Sequence, residues 1–178
     1  MKELSLHILD IAQNSIVAGA KKIEITIVED SKNDLLSIEL TDDGSGMKPE
    51  VLAGVFDPYT TSRTTRKVGM GLPLLNDACR STSGKLSIES ELGIGTKVMA
   101  TLGLTHIDRQ PLGDIAGVVV ILIIANPQLR FIYSHSKDDN LFSLDTDEVK
   151  EILDGVPIET PEVGKMIKEM ISSNLEEL

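Results

Sequence analysis

The chain has 178 residues, of which 41% are apolar, 3% aromatic and 25% charged, and its formal net charge at pH 7 is −11. This composition is typical of a soluble globular protein whose core is built mainly from Leu, Ile and Val. The negative charge argues against general nucleic-acid binding and against binding to anionic membrane surfaces, because phosphate groups would be repelled.

Three further features predict a cytoplasmic protein. Cys79 is the single cysteine, so no disulfide can form within the chain, which fits a reducing compartment. The first residues are polar and lack the apolar core of a signal peptide. The longest apolar run, 115–125, has about half the length needed to span a bilayer.

Hydrophobic spacing and glycine or proline positions predict the elements of the first 105 residues. A polar stretch rich in Thr, Ser, Arg and Lys interrupts them, and loops of that length usually have a function. The predicted elements are a helix at 4–18, a hairpin of strands at 23–27 and 36–40, a short helix at 49–56, a polar loop at 57–68, a helix at 72–81 and strands at 85–90 and 96–104.

After a linker at 106–113, the remaining residues predict a smaller α/β extension. Thr160 is placed to cap the last helix, and Pro161 occupies its first position. Extending the sheet, forming a homodimer and docking a partner are all open roles for this segment. Its predicted elements are apolar strands at 118–125 and 129–135, a short strand at 141–144 and helices at 147–153 and 161–178.

The first chemical motif is a carboxylate and a carboxamide one helical turn apart, at Asp10 and Asn14. Residues at i and i+4 project from the same face of a helix. The Asn14 carbonyl oxygen is a suitable ligand for Mg²⁺, and Asp10 could orient or deprotonate a water or hydroxyl. The alternative is that Asp10 simply faces solvent.

Two glycine motifs follow. Asp42 precedes Gly44 and Gly46 at the end of a predicted strand, where its carboxylate could accept a hydrogen bond from the exocyclic amine of adenine. The segment 69–72, Gly-Met-Gly-Leu, opens a predicted helix, and helix N-termini suit phosphate groups. Each motif alone also fits an ordinary turn, and neither is a P-loop or a dinucleotide-binding fingerprint.

In this order and spacing the motifs resemble those of the GHKL ATP-binding superfamily, named for DNA gyrase, a large heat-shock chaperone, histidine kinases and MutL. The resemblance covers residues 1–105. It rests on the asparagine box at 10–20, the glycine boxes at 42–47 and 69–74, a phenylalanine box at 56–61 and the closing Gly-Ile-Gly-Thr at 93–96.

The resemblance implies a Bergerat fold, an α/β two-layer sandwich with helices on one face of a mixed sheet, at 1–105, with the extension at 106–178. ATP and Mg²⁺ are the implied cofactors. Asn14 would hold the metal, Asp42 the adenine amine, and 60–68 would form a lid whose basic residues meet the terminal phosphate. The residues expected to bind the nucleotide are Asn14, Asp42, Gly44, Gly46, Met47, Thr60, Thr61, Arg63, Lys67, Gly69, Met70, Gly71, Leu72 and Thr96.

The expected catalytic residue is Asp10, at the position where ATP-hydrolysing members of the family carry Glu and histidine kinases usually carry Asn. Its side chain is one methylene shorter than Glu, which disfavours hydrolysis. His7, His106 and His135 lie in no acceptor motif. The resemblance therefore favours a regulatory protein kinase that phosphorylates a separate partner, and the alternatives are an ATP-gated interaction protein with little turnover and a weak ATPase.

Overall fold

The computed structural model describes residues 2–56 and 71–178. Before the gap the elements are α1 (Leu4–Val17), β1 (Lys22–Asp30), β2 (Leu35–Asp42) and α2 (Pro49–Ala53). After it come α3 (Gly71–Ser81), β3 (Lys85–Glu91), β4 (Gly95–Gly103), α4 (Ile115–Ala125), β5 (Arg130–Lys137), β6 (Asn140–Asp145), α5 (Thr146–Leu153) and α6 (Pro161–Glu177). The helices and strands predicted for the first 105 residues are confirmed, and the predicted loop 57–68 lies outside the described residues.

The six described strands form one mixed sheet in the order β3-β4-β2-β1-β5-β6. Neighbouring strands are antiparallel except for β1 and β5, which are parallel. At the centre of the sheet Ile25 lies opposite Leu40 on one side and Tyr133 on the other.

One face of the sheet is buried beneath the helices. Alternate residues of β1, Ile23, Ile25 and Ile27, are at most 1% exposed, while the residues between them are only half-buried. On the covered face α1 packs against both α3 and α4. This alternation is expected of a sheet with one face against the core, and it confirms the predicted two-layer α/β fold.

The prediction of an apolar strand at 118–125 is wrong, because this segment lies within helix α4. Eight of its eleven residues are buried, and it packs against α1 and α6. A helix covered on several sides has no amphipathic period, so an apolar run cannot be distinguished from a buried strand by pattern alone. The Asp114 carboxylate caps the helix by accepting from the Gly117 N–H at 2.8 Å.

The C-terminal extension continues the sheet of the first 105 residues. β5 pairs along its whole length with β1, and β6 forms the new edge. The N–H groups of Leu4 and Ser5 donate to the carbonyls of Pro111 and Leu112 at 2.9 and 2.8 Å, so the linker caps α1. Of the three open roles, sheet extension is therefore observed, and the division of the chain at residue 105 stays a prediction.

The last helix begins as predicted, with Pro161 in its first turn. The predicted cap from Thr160 is wrong, because its side chain makes no capping hydrogen bond and its Oγ1 is buried without a partner among the described residues. Within the described ranges, no helix is both long and apolar enough to cross a membrane.

Candidate nucleotide-binding site

Asp42 ends β2, and the residue is only 8% exposed. The hydroxyl of Ser15 on α1 donates to Asp42 Oδ2 at 2.5 Å, and the N–H of Gly44 donates to Oδ1 at 2.8 Å. A buried carboxylate needs such donors, because its loss of hydration is costly. Since a carboxylate oxygen has two lone pairs, Asp42 can still accept from the exocyclic amine of a base.

The loop after Asp42 is held between α1 and the turn joining β3 to β4. The N–H of Ser45 donates to the Ala18 carbonyl at 2.9 Å, and the Ser45 carbonyl accepts from the Gly93 N–H at 2.8 Å. Gly46 has a φ of +65°, and a Cβ there would overlap the Glu91 carbonyl. Glycine is thus required for both conformation and space, and the loop is fixed beside Asp42.

Asp43, the next residue, links the same loop to the backbone at the start of β1. Its Oδ1 accepts from the backbone N–H groups of Lys21 and Lys22 at 2.7 and 2.9 Å. Burial acts to raise the pKa of Asp43, but these hydrogen bonds outweigh it and the pKa lies below its usual value. The two adjacent carboxylates therefore have separate partners.

The backbone of Met47 and the side chain of Thr96 both contact the hydroxyl of Ser90. The Met47 N–H donates to Ser90 Oγ at 2.8 Å, and the hydroxyls of Ser90 and Thr96 are 2.8 Å apart. Thr96 lies opposite Asp42 in the pairing of β2 with β4. Thr96 is thus beside Asp42 on the sheet, and its role in binding the nucleotide stays a prediction.

Ser15 and Ser90 are residues that the motifs do not single out. Ser15 lies on the apolar stripe of α1 and is 3% exposed. A hydroxyl at a core-facing position needs a hydrogen-bond partner. The place of Ser15 in the helical pattern therefore indicates that its side chain bonds to another residue. Ser90 carries no comparable signal, because polar residues are common at strand ends.

Asp10 and Asn14 both lie half-buried on α1. Asp10 Oδ2 is fully buried, and no group among the described residues donates to it. It lies against Gly71, where any Cβ would overlap this oxygen. The first and third motifs therefore meet, and Gly71 is needed because the carboxylate occupies the space of a side chain.

His7 lies one turn before Asp10 and is 1% exposed. Its Nε2 is 3.1 Å from Gln110 Oε1 in the linker, a contact between residues 103 positions apart. Burial lowers the pKa of His7, although the hydrogen bond to Gln110, the Gly71 backbone and the Asp10 carboxylate act to raise it. A neutral imidazole is expected at pH 7.

The described residues of the three motifs thus come together around α1, with Asp42 bonded to Ser15 and Asp10 against Gly71. Leu72 is 5% exposed and lies in the hydrophobic core. Six predicted binding residues lie outside the described residues: Thr60, Thr61, Arg63, Lys67, Gly69 and Met70.

Asn14 fits the role predicted for a Mg²⁺ ligand. Its side-chain oxygen is a hard donor on a half-buried position, one turn from Asp10. In the part of the chain that the structure describes, no three His, Cys, Asp or Glu residues are grouped to hold a metal ion.

The family model described as histidine kinase-, DNA gyrase B- and HSP90-like ATPase matches residues 2–106. The chain belongs to this family. The assignment confirms the predicted superfamily and supports ATP binding at the level of the family, while the individual binding residues stay predictions.

Similar curated proteins include two sensor kinases. The histidine protein kinase SaeS of Staphylococcus epidermidis is 30% identical over 107 residues, which are 57% of this chain and 30% of SaeS. The autoinducer 2 sensor kinase/phosphatase LuxQ of Vibrio cholerae is 25% identical over 114 residues, 61% of this chain and 13% of LuxQ. The chain therefore matches less than a third of either relative's length.

Two solved structures share the fold. The N-terminal domain of a DNA repair protein has a TM-score of 0.58 at 20% identity, over 81% of this chain and 53% of its own. The ADP-bound MutL ATPase domain of Aquifex aeolicus has a TM-score of 0.52 at 15% identity, over 86% of this chain and 70% of its own. Because the second match covers so much of the chain, the likeness extends past residue 106.

Proposed function

We propose that the protein binds ATP with Mg²⁺ and transfers the γ-phosphate to a separate protein, as a regulatory kinase. The observation that carries the proposal is the buried Asp42 carboxylate, oriented by Ser15 and Gly44 on the same helix-and-sheet unit that holds Asp10. His7 and His135 are 1% and 3% exposed, so neither can accept phosphate in the folded chain. An acceptor in trans is consistent with this burial.

At the adenine end, Asp42 would accept a hydrogen bond from the exocyclic amine. A guanine carbonyl at the same place would face the carboxylate as a second acceptor, and this repulsion would select adenine. The base would be bordered by Gly44, Gly46 and Met47. Hydrogen bonds to the end of α1, to Ser90 and to the β3–β4 turn hold this loop beside Asp42.

At the phosphate end, Asn14 would hold Mg²⁺, which when bound neutralises phosphate charge. Asp10, one turn away, would accept the proton of an attacking hydroxyl, or the proton on the non-attacking ring nitrogen of an acceptor imidazole, as the phosphate is transferred. Arg63 and Lys67 would supply positive charge to the terminal phosphate.

A second candidate is slow ATP hydrolysis, favoured by the presence of a carboxylate at position 10. A water molecule would then replace the protein acceptor, and Asp10 would take its proton. The shorter side chain supports only weak activity, since a displacement of about 1 Å can cost about a hundredfold in rate.

The purified protein should be incubated with γ-labelled ATP, alone and with lysate, while ATP affinity is measured separately. A kinase would transfer the label to a protein in the lysate. An ATPase would release labelled phosphate even when no lysate is present. If ATP binds but neither labelled protein nor released phosphate is found, both enzymatic functions are rejected. The remaining candidate is then the ATP-gated interaction protein.

Variants at position 10 test its role in whichever reaction is found. Asp10→Asn should abolish turnover with ATP affinity retained, and Asp10→Glu should keep or raise it. The matched control is Asp139→Asn, at an exposed position. Equal rates in all variants would remove Asp10 from the mechanism.

A further inference from the structure

A cavity of about 160 Å³ lies between the last residues of β1 and β5, the linker, the start of α4 and the end of α6. It is at the opposite end of β1 from the nucleotide motifs, because Asp42 pairs with Ile23 near the start of that strand. Polar and aliphatic side chains line it together with Gly113: Glu29, His135, Lys137, Leu112, Ile115, Leu175 and Leu178.

The Glu29 carboxylate is held at this cavity by two hydrogen bonds in series. Tyr133 is 1% exposed, and the hydrogen bond found for its hydroxyl in the described part of the chain is to His135 Nδ1, at 2.9 Å. Burial raises the pKa of Tyr133, so the phenol stays protonated and donates to Nδ1. His135 Nε2 then carries the ring hydrogen and donates it to Glu29 Oε1 at 2.8 Å. An imidazole that accepts at Nδ1 is uncharged, so the negative charge of Glu29 is not neutralised.

Lys137 brings a positive charge to the same cavity. It lies opposite Glu29 in the pairing of β1 with β5, yet among residues 2–56 and 71–178 its ammonium forms no ion pair. Glu29 can accept further hydrogen bonds, since each carboxylate oxygen has two lone pairs. The cavity thus presents an anionic acceptor and a cationic donor as two separate groups, together with four aliphatic side chains.

The volume and the charges of the cavity limit what can bind. A cavity of about 150 Å³ lined by aliphatic and aromatic side chains is large enough for one benzene molecule, so only a small molecule fits here. An anion alone would meet Glu29 in a chain of net charge −11, and a cation alone would leave Lys137 without a partner. A small molecule with both charges and a short aliphatic group complements all three parts of the lining.

We propose that this cavity binds a free aliphatic amino acid as its zwitterion. The ammonium donates to Glu29, and the carboxylate accepts from Lys137. The side chain packs against the aliphatic wall of Leu112, Ile115 and Leu175. This site is separate from the nucleotide site, so its test needs neither ATP nor turnover and does not depend on the proposed function.

Calorimetry on the wild-type chain compares three probes with the same branched aliphatic group. These are L-leucine, isocaproate, which lacks the ammonium, and isoamylamine, which lacks the carboxylate. L-leucine should bind, and each analogue should bind on the order of tenfold more weakly, because it lacks one hydrogen bond between charged groups. No binding of L-leucine at millimolar concentration, or an analogue that binds as tightly, would overturn the proposal.

Two substitutions assign the charges to the two ends of the ligand. In Lys137→Gln the preference for L-leucine over isoamylamine should disappear, and in Glu29→Gln the preference over isocaproate should disappear. Lys32→Gln, at an exposed position, is the control and should keep both preferences. Lys137 is also exposed, so its variant tests the site even if Glu29→Gln lowers stability. Unchanged preferences in Lys137→Gln would contradict the assignment.

Methyl NMR on the full chain locates the ligand. Ile115 lines the cavity, whereas Ile121 of the same helix is 57% exposed and lies outside it. The two methyl signals are assigned with Ile115→Val and Ile121→Val. L-leucine should shift the signal of Ile115 and leave that of Ile121 unchanged. Binding without a response at Ile115 would place the ligand elsewhere and reject this cavity as the site.

Discussion

Asp42 and Asp43 show how two adjacent carboxylates acquire different roles from their surroundings. Asp42 faces the helices and bonds to Ser15 and Gly44, while Asp43 is exposed and bonds to the backbone at the start of β1. Both are acidic residues in a glycine turn, so their types alone do not separate them. The alternation along β2 does, because Asp42 continues the buried row of the strand.

This pair gives a matched test of the adenine assignment. Asp42→Asn keeps the shape of the side chain but removes a charged acceptor, so ATP affinity should fall at least about tenfold, as expected for a hydrogen bond to a charged group. Asp43→Asn should leave ATP affinity unchanged. Titration calorimetry on both variants measures the difference, and an Asp42→Asn variant with full affinity would reject Asp42 as the adenine acceptor.

The contact between Gly71 and Asp10 predicts a substitution that affects activity more than folding. A Cβ at Gly71 would overlap both Oδ2 and Cγ of Asp10, so the whole carboxylate would have to swing away about the Cα–Cβ bond. Gly71→Ala should therefore change the free energy of unfolding by less than about 1 kcal/mol, since alanine also favours the helix, while turnover falls to that of Asp10→Ala.

The control for Gly71→Ala is the double variant. In an Asp10→Ala background the overlapping oxygen is gone, so adding Gly71→Ala should have little further effect on stability or rate. Additive losses in the double variant would show that Gly71 acts independently of Asp10.

At the scale of elements, the periodic segments of the first 105 residues are predictable and α4 is not. α1 and the β1–β2 hairpin each have one covered face, and their apolar residues follow the helical or strand period. α4 is covered by α1 and α6 together, so no period remains. Two signals favour a helix there, its length of 11 residues and the Asp114 cap, while its Val and Ile content favours a strand.

Two isoleucines of α4 distinguish the helix from the strand experimentally. Ile121 is 57% exposed and Ile123 is 1% exposed. Residues at i and i+2 share one face of a strand but lie on opposite sides of a helix. Ile123→Ser should lower the free energy of unfolding by about 3 kcal/mol or more, whereas Ile121→Ser should be nearly neutral. Denaturant unfolding measures both, and similar losses would contradict the helical assignment.

At the scale of the whole molecule, the sequence motifs predict the site better than they predict the extent of the folded unit. The ATP-binding motifs end by residue 96, and the family match ends at residue 106. Nothing in the pattern of β5 specifies that β1 will be its neighbour, because strand partners are set by packing of the whole sheet. The contact of His7 with Gln110, 103 positions apart, is equally invisible in the sequence.

Because β5 pairs with β1 and α4 covers α1, residues 2–105 alone should not form a stable domain. Removing 106–178 would expose the edge of β1, the face of α1 beneath α4 and the N-terminal amides of α1 that the linker caps. The fragment should lack the cooperative thermal transition of the full chain, bind a hydrophobic dye and lose ATP affinity, as measured by calorimetry and fluorescence. Adding the separate 106–178 segment is the control, and partial recovery of ATP binding would attribute the loss to the missing contacts. A cooperative transition and full ATP affinity in the fragment alone would show that the extension is dispensable for the fold.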